Sequence, residues 1–233
     1  MNSPLQSETT NTPAPYFKYL SGPSKGFVFV ITYARSGDLL LQEILNSISG
    51  YRIHGQNGGA LQHIAKIWED AANELHSQGS ANSQNAAMTL APLGLSLADG
   101  FVKNILSPQE NDRVLGFREI CYVGDEDDLN RQISFAKLFF PNAKFVFNIR
   151  RRSDVINRGP WAKKNDGLVN RQLKEFENAA FDYVAKDPET FFSLRYGSYV
   201  KDVENLEPLF DFLDEPFNLS EMENLLSDKF NRA

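Results

Sequence analysis

The feature that most constrains the fold is a short apolar run that ends in a small-residue turn and passes directly into a helical pattern. The run Gly26–Thr32 (GFVFVIT) is almost continuously apolar, which is typical of a strand buried on both faces. The turn Tyr33–Gly37 (YARSG) interrupts it. Leucines and isoleucines then recur at helical spacing up to Gly50, and a glycine commonly ends a helix. Strand, turn and helix in this order predict the first half of a βαβ unit.

Three further apolar runs predict strands that alternate with helices. Arg113–Phe117 and Lys144–Ile149 have the pattern of buried strands, and a helical pattern between them stops at Pro141. Thr190–Leu194 predicts a shorter strand after a helix over roughly residues 168–184. This alternation predicts a three-layer α/β fold, in which a central, mainly parallel sheet carries helices on both faces. We expect the opening strand to lie beside both buried runs.

The chain divides into a polar tail and one domain. Residues 1–24 are rich in proline, serine and threonine, with no apolar stretch resembling a signal peptide. We therefore expect a flexible N-terminal tail and a single domain over residues 25–233, since a chain of this length supports one sizeable core. Residues 76–85 are small and polar and predict a long loop.

Charge and cysteine content restrict the cellular setting and the partners. A formal net charge of −6 argues against nonspecific binding to nucleic acid and to anionic membranes. No run approaches the roughly 18 to 20 apolar residues of a membrane span. Cys121 is the only cysteine, so no internal disulfide is expected, and a reducing, cytoplasmic setting is predicted. The three histidines and the cysteine lack metal-ligand spacing, so we expect no metal site. Oligomeric state is not readable from the sequence.

The turn after the first strand has the composition of an anion-binding loop. Ligands of open parallel sheets bind at the carboxyl ends of the strands, where turn amides and a helix N-terminus attract anions. Arg35 offers a bidentate cation, Ser36 a hydroxyl, and Gly37 a close backbone approach. The turn lacks the Gly-Lys-Ser/Thr ending of a Walker loop, which disfavours a nucleotide kinase. The alternative is an ordinary turn whose arginine is solvated.

Three blocks of the chain resemble bacterial sulfotransferases, in the order found in that family. VITYARSGDLLLQEILNSISGYRIHGQN resembles the 5′-phosphosulfate loop region, whose pattern is Gly/Pro-Arg-Ser-Gly-Thr/Ser-Thr-Leu-Leu. VLGFREI and LFFPNAKFVFNIRRRSDVINR resemble the strand, turn, strand and 3′-phosphate motif. RYGSYVKDVENLEPLFDFLDEPFN resembles the C-terminal Tyr-Glu-Asp-Leu segment and its helix. The resemblance implies the P-loop NTPase-like sulfotransferase fold, with 3′-phosphoadenosine 5′-phosphosulfate (PAPS) as the sulfuryl donor.

The resemblance also implies which residues bind the donor. The loop Arg35, Ser36, Gly37, Asp38 and Leu39 would hold the 5′-phosphosulfate. Arg150, directly after a buried strand, would bind the 3′-phosphate, and Arg158 stands where the family usually has a serine for the same phosphate. The alternative for Arg150 is a surface charge within a run of three arginines.

Four positions depart from the family pattern. Asp38 replaces threonine or serine, and its carboxylate would cap the helix but repel an anionic donor. Arg158 adds a positive charge, which would offset the repulsion between Asp38 and the anionic donor. Gln56 stands where relatives often have a glutamate, which removes one candidate base. Gly197 and Ser198 replace the usual Glu-Asp.

Candidate catalytic groups follow the predicted strand Arg113–Phe117 and the short run Tyr51–Ile53. Sulfuryl transfer needs a base for the acceptor hydroxyl and cations on the transferred group. Glu119 and His54 are the candidate bases, and Arg118 is the candidate cation. Each candidate base has a structural alternative: Glu119 as an ion-pair partner of Arg118 or another arginine, and His54 as a satisfied or exposed histidine. The sequence thus predicts a sulfotransferase acting on a hydroxyl of a carbohydrate or small-molecule acceptor. The alternative is a catalytically impaired relative that binds an anion or a protein partner.

Overall fold

Five parallel strands form one sheet in the computed structural model, which describes residues 17–77, 90–120, 123 and 125–230. The strand order is β2-β3-β1-β4-β5. The strands are β1 (Gly26–Ile31), β2 (Tyr51–His54), β3 (Val114–Glu119), β4 (Lys144–Ile149) and β5 (Phe191–Arg195). All neighbouring pairs are parallel. The predicted adjacency of β1 to both β3 and β4 is therefore confirmed.

Helices cover both faces of this sheet, as the alternation of patterns predicts. Within the described ranges they are α1 (Asp38–Ser47), α2 (Ala60–Ser77), α3 (Ala91–Phe101), α4 (Glu126–Phe139), α5 (Asp166–Lys186), α6 (Tyr196–Lys201), α7 (Glu207–Leu213) and α8 (Leu219–Phe230). A π-helical turn over Val102–Leu106 extends α3, and short 3₁₀ turns occur at Arg152–Asp154, Trp161–Lys163 and Val203–Leu206.

Side-chain alternation along β1 divides the interior into two cores. Phe27, Phe29 and Ile31 face α2, α3, α4 and α5, whereas Val28 and Val30 face α1 and the C-terminal helices. The first core is rich in aromatic rings: Phe29 packs against Phe117 with ring centroids 5.2 Å apart. Because every side chain of β1 is buried, its apolar run belongs to a central strand covered on both faces.

Residues 17–24 extend the domain beyond its expected start. Leu20 is buried in the first core. The backbone N–H groups of Tyr19 and Leu20 donate to the Asp99 carboxylate at 2.8 and 3.0 Å. This part of the segment assigned to the tail is therefore anchored, while residues 1–16 lie outside the described residues. Most of the loop expected over residues 76–85 lies outside them too, as does Cys121.

The order of the strands determines which turns meet at the carboxyl edge of the sheet. β1 is central, so the turn that follows it lies between the ends of β3 and β4. Among the helices of the described part, none has the length and apolar character needed to cross a membrane. The same residues contain no cluster of three or more potential metal ligands.

Candidate anion-binding site

The turn after β1 adopts a left-handed geometry that ends at the first residue of α1. Arg35 and Gly37 have φ angles of +69° and +90°, and Gly37 is the residue that precedes the helix. A Cβ added at Gly37 would lie 2.0 Å from the ring of Tyr196. Glycine is thus required here for both conformation and space. The N–H groups of the first helical turn point out of the helix toward this edge, where an anion is favoured.

Ser36 supports the turn from beneath. Its side chain is fully buried, and its hydroxyl lies 2.6 Å from the Thr32 hydroxyl. Thr32 also donates to the carbonyl of Asn148 at 2.7 Å, and Asn148 Nδ2 donates to the Ser36 carbonyl at 3.3 Å. These contacts tie the turn to β4. The Ser36 hydroxyl was expected to face the bound PAPS, but it faces the sheet instead. The hydrogen-bond donors available to a ligand here are therefore backbone N–H groups and Arg35.

Arg150 lies against the same turn. Its Nη1 donates to the Arg35 carbonyl at 3.3 Å, and its guanidinium stacks on Tyr196 at 4.4 Å from the ring centroid. The hydroxyl of Tyr33 donates to the Arg150 carbonyl at 2.7 Å and accepts from its N–H at 2.8 Å. Burial raises the pKa of Tyr33, so this hydroxyl keeps its proton. Arg150 is therefore held beside Arg35 by the turn and by an aromatic face.

The residues after Arg150 fold back over the turn. Trp161 is buried, and its indole N–H donates to the Ala34 carbonyl at 2.8 Å. A Cβ added at Gly159 would lie 2.6 Å from Arg35 Nε, so the Arg35 side chain runs along this glycine. Arg158 directly precedes Gly159 and is exposed. Leu39, in the first turn of α1, is exposed as well.

Asp38 forms an ion pair that sequence reasoning missed. Its Oδ2 lies 2.5 Å from Arg118 Nη1, and the two side chains are 14% and 12% exposed. Arg118 Nε also donates to Gln42 Oε1 at 2.6 Å. The side chain of Asp38 does not cap α1, whose N-terminus has no side-chain cap. The expectation of a capping carboxylate is therefore wrong: Asp38 and Arg118 neutralise each other beside the turn.

The two candidate bases lie on the other face of the sheet from Arg118. Consecutive strand residues point to opposite faces, so Arg118 reaches α1 while Glu119 reaches the loop before α2. Glu119 is 1% exposed and accepts backbone N–H groups of Asn57 and Gly59 at 3.4 Å and of Ile120 at 2.9 Å. This carboxylate holds the β2–α2 loop. Gln56, in that loop, is exposed.

His54 ends β2 on the same face as Glu119. Burial lowers the pKa of His54, and a hydrogen bond with the Leu106 backbone opposes that shift. The imidazole is thus neutral near pH 7. Its Nε2 is buried, and no residue within the described ranges forms a hydrogen bond with it. A neutral imidazole suits a general base, but this nitrogen is enclosed by the protein.

A cavity of about 490 Å³ opens at the opposite, amino edge of the sheet, between the starts of β1 and β4. Its two lysines already have partners: Lys25 bonds Asp214 and Glu215, and Lys144 donates to the Phe212 carbonyl. These cations have acceptors within the chain, and they lie at the edge away from the turn. The carboxyl edge, where cations meet a helix N-terminus, is the better anion site despite this cavity.

The sequence predicted the position of Arg35, Gly37 and Arg150 at one edge, but not the groups that hold them. Tyr33, Tyr196 and Trp161 make those contacts, and the only signal for them was that each lies in or beside a block resembling the sulfotransferases. A search of protein-family models found no match to this chain, and a search of curated proteins found no significant relative.

Proposed function

We propose that this protein binds PAPS at the carboxyl edge of its sheet and transfers the sulfuryl group to a hydroxyl of a carbohydrate or small-molecule acceptor. The observation that carries the proposal is the contact between Arg150 and the turn that bears Arg35. Arg150 Nη1 lies 3.3 Å from the Arg35 carbonyl, so one edge presents two arginines and a helix N-terminus. A donor with phosphates at its 5′ and 3′ positions needs cations at two points, and arginine binds phosphate oxygens in bidentate fashion.

Each cation has a part in this reaction. Arg35 and the first turn of α1 hold the 5′-phosphosulfate, and Arg150 holds the 3′-phosphate with Arg158 beside it. The acceptor oxygen attacks sulfur in line, the bond from sulfur to the phosphate oxygen breaks, and a base takes the hydroxyl proton. Negative charge grows on the leaving phosphate, where Arg35 stabilises it. His54 is the better base, because it is neutral and the Glu119 oxygens already accept backbone N–H groups.

The pair of Asp38 and Arg118 favours a second candidate, a protein that binds the nucleotide without transferring its sulfuryl group. Arg118 was the expected cation for the transferred group, and its Nη1 is engaged by Asp38 at 2.5 Å. A neutralised arginine stabilises a developing negative charge less than a free one does. The two candidates share the donor site and differ in turnover.

Calorimetric titration with 3′-phosphoadenosine 5′-phosphate (PAP) and ATP tests donor binding. We expect PAP to bind more tightly than ATP, which lacks the 3′-phosphate. Arg150→Ala should weaken PAP binding by roughly 10- to 100-fold, the usual loss for a charge-assisted contact. Arg171→Ala, which removes an exposed arginine of α5, should leave the affinity unchanged. Equal binding of PAP by both variants, or no binding by the wild type, would refute the proposed donor site.

Turnover separates the two candidates. The wild type is incubated with PAPS and a panel of saccharide and small hydroxyl acceptors, and sulfated products are sought by mass spectrometry. Product formation that is lost in Arg35→Ala supports the transferase. Tight PAP binding without product from any acceptor of the panel supports the binding protein.

A further inference from the structure

Residues 150–164, called the basic segment below, carry a charge opposite to that of the rest of the chain. Six of these fifteen residues are arginine or lysine and one is aspartate, which gives +5. The whole chain carries −6, so the remainder carries −11. Such an asymmetry on one short segment produces a local positive field on an otherwise acidic protein.

The donor accounts for only part of this charge. Arg150 and Arg158 have proposed roles at the 3′-phosphate, and Arg152 lies 3.6 Å from Glu177. Arg151, Lys163 and Lys164 remain, and all three are exposed. Among the ion pairs of the described residues, none includes these three cations. They have no role in the proposed donor site, and we call them the surplus cations below.

The surplus cations lie close to the anion-binding turn. The ammonium of Lys164 lies 5.1 Å from the centroid of the Trp161 ring, and the indole of Trp161 bonds the Ala34 carbonyl at 2.8 Å. Lys164 therefore lies beside the indole that contacts the turn, and Lys163 belongs to the 3₁₀ turn that begins at Trp161. Arg151 is next to Arg150. A second ligand held by these cations would lie beside the donor.

A polar cavity adjoins the same segment. It has a volume of about 480 Å³ and is lined by Ser153, Ile156, Asn157, Asp166, Gly167 and Asn170. Its hydroxyl, amides and carboxylate are groups that hydrogen-bond to sugar hydroxyls. Arg151 comes shortly before the lining residue Ser153 in the sequence, and Lys164 comes shortly before the lining residue Asp166.

We infer that the acceptor is an acidic saccharide, whose hydroxyls occupy this cavity and whose carboxylate or sulfate groups are bound by Arg151, Lys163 and Lys164. The inference rests on the proposed function and specifies its acceptor. An anionic acceptor is repelled by an anionic donor, and additional cations beside the donor offset that repulsion. A neutral acceptor is not repelled by the donor and does not need these additional cations.

The surface fits a saccharide better than a single-stranded nucleic acid. Proteins that bind single strands stack bases on exposed aromatic rings. Trp161 is the only aromatic residue of the basic segment, and it is 6% exposed and packed into the core. The accessible face of the segment therefore offers cations and hydrogen-bonding groups without a stacking platform.

The test measures binding of an oligogalacturonate, with neutral dextran and poly(U) as comparison ligands. The variant Arg151→Ser/Lys163→Ser/Lys164→Ser removes the three surplus cations. A matched control, Lys66→Ser/Lys103→Ser/Lys186→Ser, removes three exposed lysines of other elements and changes the net charge equally. A third variant, Asn157→Ala/Asn170→Ala, changes the cavity without changing charge. PAP is titrated into every variant.

We expect the first triple variant to bind oligogalacturonate roughly tenfold more weakly than the wild type, since each exposed charge contact contributes modestly. The control should bind as the wild type does, the cavity variant should bind more weakly, and all should keep their PAP affinity. Equal binding by the two triple variants, tighter binding of poly(U) or dextran than of oligogalacturonate, or no oligogalacturonate binding would overturn the inference while leaving the donor site intact. If the wild type does not bind PAP, the proposed function is refuted, and the inference about its acceptor is refuted with it.

Discussion

Neutralising Asp38 should tighten the binding of PAP. A lone carboxylate about 4 Å from a phosphate would repel it by about 4 kcal/mol at an effective dielectric of 20. In this protein Asp38 Oδ2 lies 2.5 Å from Arg118 Nη1, so the arginine cancels most of that field. Asp38→Asn removes the repulsion by the carboxylate and leaves the positive charge of Arg118 unopposed, so the dissociation constant of PAP should fall by at least about tenfold, which is about 1.4 kcal/mol.

The same substitution should lower stability. Removing one partner of a fully buried ion pair costs about 3–5 kcal/mol. Asp38 and Arg118 are 14% and 12% exposed, and Gln42 still accepts from Arg118 Nε at 2.6 Å, so we expect about 2 kcal/mol. For a chain of this size, that is a decrease in Tm of roughly 4–8 °C.

Calorimetric titration and thermal unfolding measure the two effects, and Asp112→Asn is the control. Asp112 Oδ1 lies 2.9 Å from Arg52 Nη2. This pair lies at the amino edge of the sheet, at the opposite end of the strands from the turn after β1. Its neutralisation should lower Tm and leave PAP affinity unchanged. Equal PAP affinities for Asp38→Asn and the wild type would show that Asp38 faces away from the ligand and that the repulsion argument is wrong.

Three further predictions concern the turn and its neighbours. Gly37→Ala should abolish PAP binding and lower Tm, because its Cβ would lie 2.0 Å from the Tyr196 ring. In the same titrations and thermal melts Gly197→Ala should leave both unchanged, because no described atom lies within 4 Å of a Cβ at that position. Tyr196→Phe should keep PAP affinity within about twofold and Tyr196→Ala should weaken it roughly tenfold, because only alanine removes the stack on Arg150. Burial lowers the pKa of His54 in the folded protein below 6.5, so the unfolded chain binds this proton first as pH falls, and stability present above about pH 6.5 is lost below it. Urea unfolding from about pH 7.5 to about 5 should show a shallower loss of stability for His54→Gln than for the wild type. An unchanged slope of stability against pH would refute this prediction.

The fold was readable from the sequence where burial on both faces imposed an apolar run. β1 and β4 are central strands with side chains buried on both sides, so their patterns were unambiguous. The anchoring of residues 17–24 was not readable, because it depends on Leu20 entering a core and on Asp99 accepting two backbone N–H groups about 80 residues away. A polar segment gives no local sign of a distant acceptor.

The site was predictable in its position and not in its charge pairing. Arg35 follows β1 and Arg150 follows β4, and the parallel sheet brings strand ends together. Asp38 and Arg118 are 80 residues apart, and they meet because Arg118 stands opposite Val30 in the register of β1 and β3 and points toward α1. Register and facing direction are tertiary properties, so sequence reasoning assigned Asp38 to a local helix cap.

The enclosure of the candidate bases should make PAP binding and the proposed sulfuryl transfer separable by experiment. Glu119 is occupied by the backbone of the β2–α2 loop, and the Nε2 of His54 is buried. An acceptor hydroxyl would therefore reach Nε2 of His54 only after the residues that enclose it move. The donor site needs no such movement, because Arg35 and Leu39 are already exposed at the edge. We therefore expect PAP affinity to respond to changes at the turn and at Arg150, and turnover to depend in addition on access to His54.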